Sequence, residues 1–518
     1  MRWIALAMAG ALCLGGSPAR AEWMQASSEH FVIYTDDNER DLRRFSEQLE
    51  RYHSALAFLT HSQFPPPSPS NRVTVYIVRS EAAVRDLYGQ NAQYIGGFYI
   101  SRAGGSLAII PHVNSGTGKA DFSMIVLLHE YAHHFMNSAS SRWMPRWLSE
   151  GGAEFFATSS FEADGTVLIG RAAQHRAGEL FFEEDMKVSA LLDPPPEKPG
   201  RRSYDAFYGK SWLLYHYLTF EPTRSEQLPN YLSLLAKGKS QRDAALEAFG
   251  DFAKLDKELD RYLMRRRMSA LRLTPDMLKV GPIELRKLSP GEAAMMRVRI
   301  RSRRGVDEAQ AKALVVEARA IAARFPKDPE VLSALAEAEF DAGNDKEAIA
   351  AADKALALDP GQVNAYVQKG YALFHMAEDA EDKAAAYKRA RAPFIALNRR
   401  ENDHPLPLKY FYLSFAEQGL EPTPLAIDGL ARAVDVARFD LELRMMLATT
   451  LIHAKRPKEA RFALEPIAYN PHGGSLADSA RKMLDRLDKQ PGWDGSDMAE
   501  VVAARDGEDS GQSDDGQP

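Results

Sequence analysis

The sequence predicts an α+β protein, with a small mixed β-sheet and a helical metal-binding region followed by an all-α repeat array. Short β-branched and aromatic runs precede residue 120, and mostly helical patterns follow from 121 to about 271. Beyond about Pro282 the chain is rich in alanine, leucine and charge, with a period of 34 residues. A chain of 518 residues, 45% of them hydrophobic, is long enough for two or three cores.

Residues 1–21 have the pattern of a secretory signal peptide. Arg2 precedes an apolar run from Trp3 to Gly16, and Ala19-Arg20-Ala21 forms a small-x-small cleavage pattern. The apolar run is shorter than the roughly 20 residues that span a bilayer. We therefore expect an exported protein, periplasmic or secreted, with no stable membrane span after signal removal.

Composition excludes several kinds of site and partner. Cys13, the single cysteine, lies inside the signal segment, so the mature chain is expected to have neither disulfides nor cysteine–metal sites. The formal net charge is −6, and no basic block is longer than Arg265-Arg266-Arg267, which gives no electrostatic basis for nucleic-acid binding. Proteins or peptides are the expected partners.

Residues 22–120 predict an α/β subdomain. Strands are expected at Phe31–Tyr34, Val73–Val78, Ile95–Ile100 and Leu107–Ile110, with a helix at Glu39–Leu59. The strand that ends at Ile110 could pair with an extended substrate as a sheet edge, although short edge strands also occur without a partner.

His129-Glu130-Tyr131-Ala132-His133 is an HExxH motif in a helix expected to begin near Ser123. Histidines at positions i and i+4 can reach one ion from a single helix. At about 100° per residue, the ligand face lies opposite the apolar stripe. That stripe consists of Met124, Leu127, Leu128, Tyr131 and Phe135. Glu130, between the histidines, is expected to act as the general base.

The segment Trp147-Leu148-Ser149-Glu150-Gly151-Gly152-Ala153-Glu154 supplies the expected third ligand. Glu150 would complete a site for one Zn²⁺ ion that keeps a fourth position for water. Glu154 shares its helix face and would accept the other ring N–H of a ligand histidine. Gly151 and Gly152 each cost a helix interior about 1 kcal/mol relative to alanine, so we expect the two helices to approach closely around the metal.

These two motifs together resemble the gluzincin metallopeptidases, particularly bacterial peptidase MA-like domains with a W-L-x-E-G second motif. The resemblance implies that His129, His133 and Glu150 bind zinc and that Glu130 is the base. It extends more weakly over residues 22–270. The gap from His133 to Glu150 is shorter than in the aminopeptidase members, which leaves endopeptidase and exopeptidase activity both open.

The same resemblance suggests an oxyanion-stabilising residue. Aminopeptidase members carry a tyrosine in a Tyr-x-Lys-Gly helix start, and Tyr208-Gly209-Lys210-Ser211 looks similar. This implies Tyr208 for that role, with Tyr204 as the reserve. Alternatively, Tyr208 belongs to an aromatic core cluster with its neighbours.

The 34-residue period resembles tetratricopeptide repeats (TPR). Pro326 and Pro360 are one period apart, as are Ala336 and Gly370. The expected units are 329–362, 363 to about 400, 407–440 and 441–474, with an earlier helix at Asp307–Phe325. Such arrays commonly bind proteins or peptides, so a protein partner on this array is expected.

The sequence therefore predicts five segments. They are a signal peptide (1–21), an N-terminal α/β subdomain (22–120), a helical zinc-binding subdomain (121–280), TPR-like repeats (281–488) and a disordered acidic tail (489–518). The favoured function is an exported zinc peptidase that acts on a peptide or protein substrate. The alternative is a catalytically inactive gluzincin-like domain on a TPR protein-interaction scaffold.

Overall fold

The computed structural model describes residues 22–63, 65–89, 96–112, 116–140, 142–194, 206–470 and 472–503. The strands are β1 Met24–Ser27, β2 Phe31–Thr35, β3 Val73–Val78, β4 Phe98–Ile100, β5 Leu107–Pro111, β6 Gly118–Lys119, β7 Ser160–Phe161, β8 Val167–Ile169, β9 Leu271–Leu273 and β10 Glu284–Lys287. The helices are α1 Glu39–Leu59, α2 Glu81–Tyr88, α3 Phe122–Ala139, α4 Arg146–Ala157, α5 Ala177–Phe182, α6 Val188–Leu192, α7 Phe207–Phe220, α8 Gln227–Ala236, α9 Gln241–Phe249, α10 Phe252–Leu263, α11 Pro290–Arg304, α12 Glu308–Arg324, α13 Pro329–Asp341, α14 Asp345–Leu358, α15 Val363–Glu378, α16 Lys383–Asn398, α17 Pro405–Ala416, α18 Pro424–Val436, α19 Leu441–His453, α20 Pro457–Ala468, α21 Ser475–Lys489 and α22 Met498–Ala503.

Three expectations from the sequence fall outside these residues. They are the signal peptide at 1–21 with Cys13, the reserve tyrosine Tyr204, and the end of the acidic tail at 504–518. Among the residues that are described, no helix is both long and apolar enough to span a bilayer.

The main sheet has six strands in the order β10-β1-β2-β3-β5-β4. The β2–β3 and β3–β5 pairs are parallel and the other pairs are antiparallel, so the predicted small mixed sheet is confirmed. Helix α1 buries Leu42, Phe45 and Leu49 in the core that it shares with α3. The expectation that Leu107–Ile110 forms a sheet edge is wrong, because β5 is paired on both sides and β4 is the outer strand.

The last strand of this sheet comes from far along the chain. In β10, Lys287 pairs with Met24 and Glu284 pairs with Ser27. The sheet therefore includes residues beyond the boundary expected at 280, and the chain returns to its first strand before the helical array begins. The pairing of β9 with β8 likewise ties residues 271–273 to a second, four-stranded sheet.

Helix α3 begins slightly earlier than the sequence predicts. The N-cap is Asp121, whose carboxylate accepts a hydrogen bond from the Met124 backbone N–H, and Ser123 lies inside the helix. Aspartate is as good an N-cap as serine, and here it stands at the position that reaches the free amide. The predicted apolar stripe of this helix is buried in the main core.

Residues 290–489 form a continuous array of helices in which consecutive helices pack on one another. Alanines and glycines occupy the crossings: Ala336 and Ala355 are fully buried, and a Cβ at Gly370 would lie 2.4 Å from the Phe394 ring. Order continues past the expected end at 488. Trp493 is buried against the last helices, because its large apolar ring gains from burial. Its indole N–H also donates a hydrogen bond to Asp497.

One side of the array contacts the N-terminal region. Hydrogen bonds link the two: Ser70 N to Glu401 Oε1 at 2.9 Å, Asn71 Nδ2 to Val436 O at 3.1 Å, Ser101 Oγ to Phe439 O at 3.0 Å, Arg102 Nη2 to Arg303 O at 2.6 Å, and Ala103 N to Asp440 Oδ2 at 2.8 Å. The partners lie in the first helix of the array, in the α16–α17 connection and around the α18–α19 connection. The array therefore packs against the N-terminal region rather than standing apart from it.

Asp341, at the end of α13, makes the stability of the folded protein depend on pH. Burial and the nearby charge of Glu337 raise the pKa of Asp341 to about 7, although Arg303 and Arg102 partly oppose the shift. Because the folded pKa exceeds the unfolded value of 3.8, its stability contribution is full below about pH 3.8 and is lost as the pH rises through about 7.

We expect Asp341→Asn to increase the free energy of unfolding by about 1–3 kcal/mol at pH 8 and by little at pH 4, since asparagine removes the buried charge. Thermal unfolding at both pH values measures this difference. The exposed Asp379→Asn, from the α15–α16 connection, is the matched control. An equal effect of Asp341→Asn at the two pH values would contradict the assigned cause.

Candidate metal centre

Helices α3 and α4 bring three buried donor atoms together. His129 Nε2 lies 3.1 Å from His133 Nε2, and Glu150 Oε2 lies 3.4 Å from the first nitrogen and 3.3 Å from the second. Glu150 has no exposed surface, and both histidines are buried. Within the described part of the chain, these three residues form the group able to hold a metal ion.

The spacing of the three atoms fits zinc. A tetrahedral ion with ligands at about 2.0–2.1 Å separates its ligand atoms by about 3.3–3.4 Å, close to the triangle observed here. The other carboxylate oxygen of Glu150, Oε1, is buried without a hydrogen-bond partner among the described residues. Two imidazole nitrogens and a carboxylate are also the donors that zinc prefers.

The charges of these groups are strongly coupled. Burial would raise the pKa of Glu150, but the charge of His133 and the hydrogen bond with His129 hold it well below its usual value. Burial would likewise lower the pKa of His129, yet Glu150 and Glu154 raise it to about 10. Since a metal ligand must be neutral imidazole, a metal ion held here would displace a proton from His129.

Glu154 lies beside the first of the two histidines. Its Oε1 lies 3.3 Å from His129 Nδ1 and accepts hydrogen bonds from Arg176 at 2.6 and 3.1 Å. Its Oε2 lies 2.7 Å from His175 Nε2. Sequence reasoning missed His175 and Arg176, because neither lies in a motif or at a helical spacing from the ligands.

Ser149 supports the second histidine. Its hydroxyl lies 3.3 Å from His133 Nδ1. A second polar contact of this kind fixes the ring orientation and leaves Nε2 for the ion. Its place directly before Glu150 was the one signal that could have identified it.

The two glycines after Glu150 have a different role from the one expected. A Cβ at Gly151 would lie 2.5 Å from the carbonyl oxygen of Ser211, so this glycine permits close approach of α4 to α7 rather than to α3. Gly152 faces Tyr215 of α7 and Met136 of α3, both at contact distance from a Cβ. The expectation of close approach around the metal is therefore wrong for Gly151. The closely packed α7 is the helix that carries Tyr208.

Glu130 is buried beside the two ligand histidines on α3. Its negative charge contributes to the raised pKa of Tyr99, on the outer strand β4, after burial as the main cause. It also acts on the pKa of His472, from the helical array. The charge of Glu130 therefore acts on groups of both the outer strand and the array.

Tyr208 lies in the first turn of α7, half-buried. Burial and the charge of Glu150 raise its pKa to about 12, so the phenol stays protonated and can donate a hydrogen bond. The Arg176 guanidinium lies 4.7 Å from the centre of its ring. Tyr208 and Glu154 thus both contact Arg176, whereas Tyr204 lies outside the described residues.

No family model matches the chain, and no curated protein matches it. Among solved structures, it is similar to the MamA RS-1 ArsTM double mutant, with 17% identity, a TM-score of 0.27, and coverage of 38% of this chain and 98% of that one. It is also similar to MamA 41-end from Desulfovibrio magneticus RS-1, with 18% identity, a TM-score of 0.26, and coverage of 34% and 92%. TTC0263, a thermophilic TPR protein of Thermus thermophilus, gives 18% identity, a TM-score of 0.28, and coverage of 38% and 90%.

Proposed function

We propose that this protein is a zinc-dependent peptidase that acts outside the cytoplasm. The observation that carries the proposal is the triangle of donor atoms from His129, His133 and Glu150, with sides of 3.1–3.4 Å. Glu154 and Ser149 contact the Nδ1 atoms of His129 and His133, respectively. Export rests on the pattern of residues 1–21 alone.

The residues around the triangle have separate roles in the proposed peptide hydrolysis. Zinc, when bound, supplies a water acidified to a pKa of about 7. The Glu130 carboxylate takes a proton from the attacking water and delivers it to the leaving amine nitrogen. The Tyr208 hydroxyl donates a hydrogen bond to the carbonyl oxygen as negative charge develops on it.

The substrate is a peptide or an unfolded protein segment. Strand β4 is the outer strand of the main sheet and packs against α3, which carries the metal ligands. An extended peptide that pairs with β4 would have its backbone beside Glu130. The helical array contacts the N-terminal region along one side, so a separate protein partner would bind its other surfaces.

Metal analysis of the purified mature protein tests this proposal directly. We expect about one zinc ion per chain and hydrolysis of casein that stops when the zinc is removed by 1,10-phenanthroline and returns when zinc is restored. Protein without bound metal, or casein hydrolysis that is unaffected by zinc removal, would refute it. Stoichiometric zinc without hydrolysis of casein or of a peptide library would favour the inactive scaffold.

A further inference from the structure

The helical array brings a histidine to the metal centre. His472 lies between α20 and α21, and its ring centre is 5.4 Å from that of His133, with the ring planes 76° apart. The pKa of His472 is influenced by Glu150, His133, Glu130 and His129 together. A residue of the α20–α21 connection therefore lies against His133, one of the three candidate ligands.

Contacts on either side of His472 in the sequence of the array hold it near His133. Before α19, the Phe439 ring lies 4.4 Å from that of His134, the residue that follows the second ligand. After α20, Tyr469 stacks on Trp143 at 4.3 Å, and Trp143 belongs to the connection between α3 and α4. Asp440 adds a hydrogen bond from Ala103 N at 2.8 Å. Phe439 and Tyr469 thus anchor this part of the array to α3 and to the α3–α4 connection.

His472 does not belong to the ligand set. The three ligand atoms lie within 4.8 Å of one another, and His472 is not a member of that group. The residue keeps an exposed surface. An imidazole carries at least one N–H donor whether or not it is protonated, so His472 can donate a hydrogen bond.

We propose that His472 is a substrate-binding residue, which donates a hydrogen bond to the oxygen of the group that occupies the open side of the metal centre. The array is then part of the active site and not only a binding platform. This inference rests on the proposed function, since it requires a metal ion held by His129, His133 and Glu150. A metal with three protein ligands keeps one position for such a group.

The full-length protein loaded with Co²⁺ provides a test that needs no substrate. Acetohydroxamate is titrated while the visible absorption of the cobalt is followed, in the wild type, in His472→Ala and in the control His375→Ala. His375 is an exposed histidine of the same array, paired with Asp345. Because His472 is exposed and lies in a connection, its replacement leaves the packed helices unchanged.

We expect the Co²⁺ affinity of His472→Ala to stay within about threefold of the wild-type affinity. Its acetohydroxamate affinity should fall about tenfold, because one hydrogen bond is lost. His375→Ala should match the wild type in both titrations. Tyr469→Ala, which removes the stack on Trp143, should weaken acetohydroxamate in the same direction. Unchanged or tighter acetohydroxamate binding in His472→Ala would overturn the inference. A loss of Co²⁺ affinity above about tenfold in that variant would also overturn it, because His472 would then be a metal ligand.

The outcomes separate this inference from the proposed function. If the wild type binds Co²⁺ and acetohydroxamate and hydrolyses casein, but His472→Ala behaves like the wild type, only the inference fails. If the wild type binds both but hydrolyses nothing, the proposed peptidase fails while the acetohydroxamate comparison still decides the role of His472. If the wild type binds no Co²⁺, both fail.

Discussion

Glu130→Gln is expected to reduce peptide hydrolysis by about 10²–10⁴-fold, because glutamine cannot take or deliver the proton that general-base catalysis requires. Glutamine has the shape of glutamate, so the helix and the ligand histidines beside it should stay in place. Hydrolysis of casein and the zinc content of the same preparation measure the two effects. Zinc should stay at the wild-type level while the rate falls.

The matched control for this variant is Glu162→Gln. Glu162 is an exposed glutamate in the connection between β7 and β8. Its replacement should leave the rate unchanged. Hydrolysis at the wild-type rate by Glu130→Gln would exclude Glu130 as the base, even with zinc bound.

Glu150→Gln is expected to weaken zinc binding by more than about 100-fold, beyond the effect of residues that only support a ligand. The amide is a poorer ligand for a divalent cation than the carboxylate, and it removes one negative charge from a fully buried site. Zinc affinity, measured by competition with a chromophoric chelator, gives the change directly. Zinc should also no longer raise the melting temperature, since ligand-linked stabilisation follows affinity.

Glu50→Gln distinguishes loss of a ligand from loss of a buried glutamate–histidine pair. Glu50 on α1 is also buried and bonded to a histidine, with its Oε2 lying 2.8 Å from His30 Nδ1. This control should lower the melting temperature and leave zinc affinity unchanged. If both variants lost zinc to the same degree, general unfolding rather than ligation would explain the result.

The candidate site could be found from the sequence wherever its geometry is local. His129 and His133 are one helical turn apart, and Glu150 is one turn from Glu154, so helical spacing is enough to put each pair on one face. The chemistry of these residues predicts that one metal ion joins the two helices. The mixed sheet followed in the same way from its short β-branched runs.

Contacts between distant segments could not be predicted in this way. Arg176 reaches Glu154 from an irregular segment, and His472 approaches His133 from the far end of the array. Nothing in the local pattern of either residue indicates its partner. The close approach of α4 to α7 at Gly151 was missed for the same reason. A glycine in a helix indicates close packing but does not identify the neighbouring element.

The return of β10 to β1 decides where this protein can be divided. A fragment that stops at residue 280 would lack the outermost strand and leave the backbone of Met24–Ser27 open on one flank. Such an open flank invites pairing between molecules, so that fragment should aggregate. A fragment meant to isolate the candidate metal centre has to extend past Lys287, and during synthesis this sheet is complete only once that residue has been made.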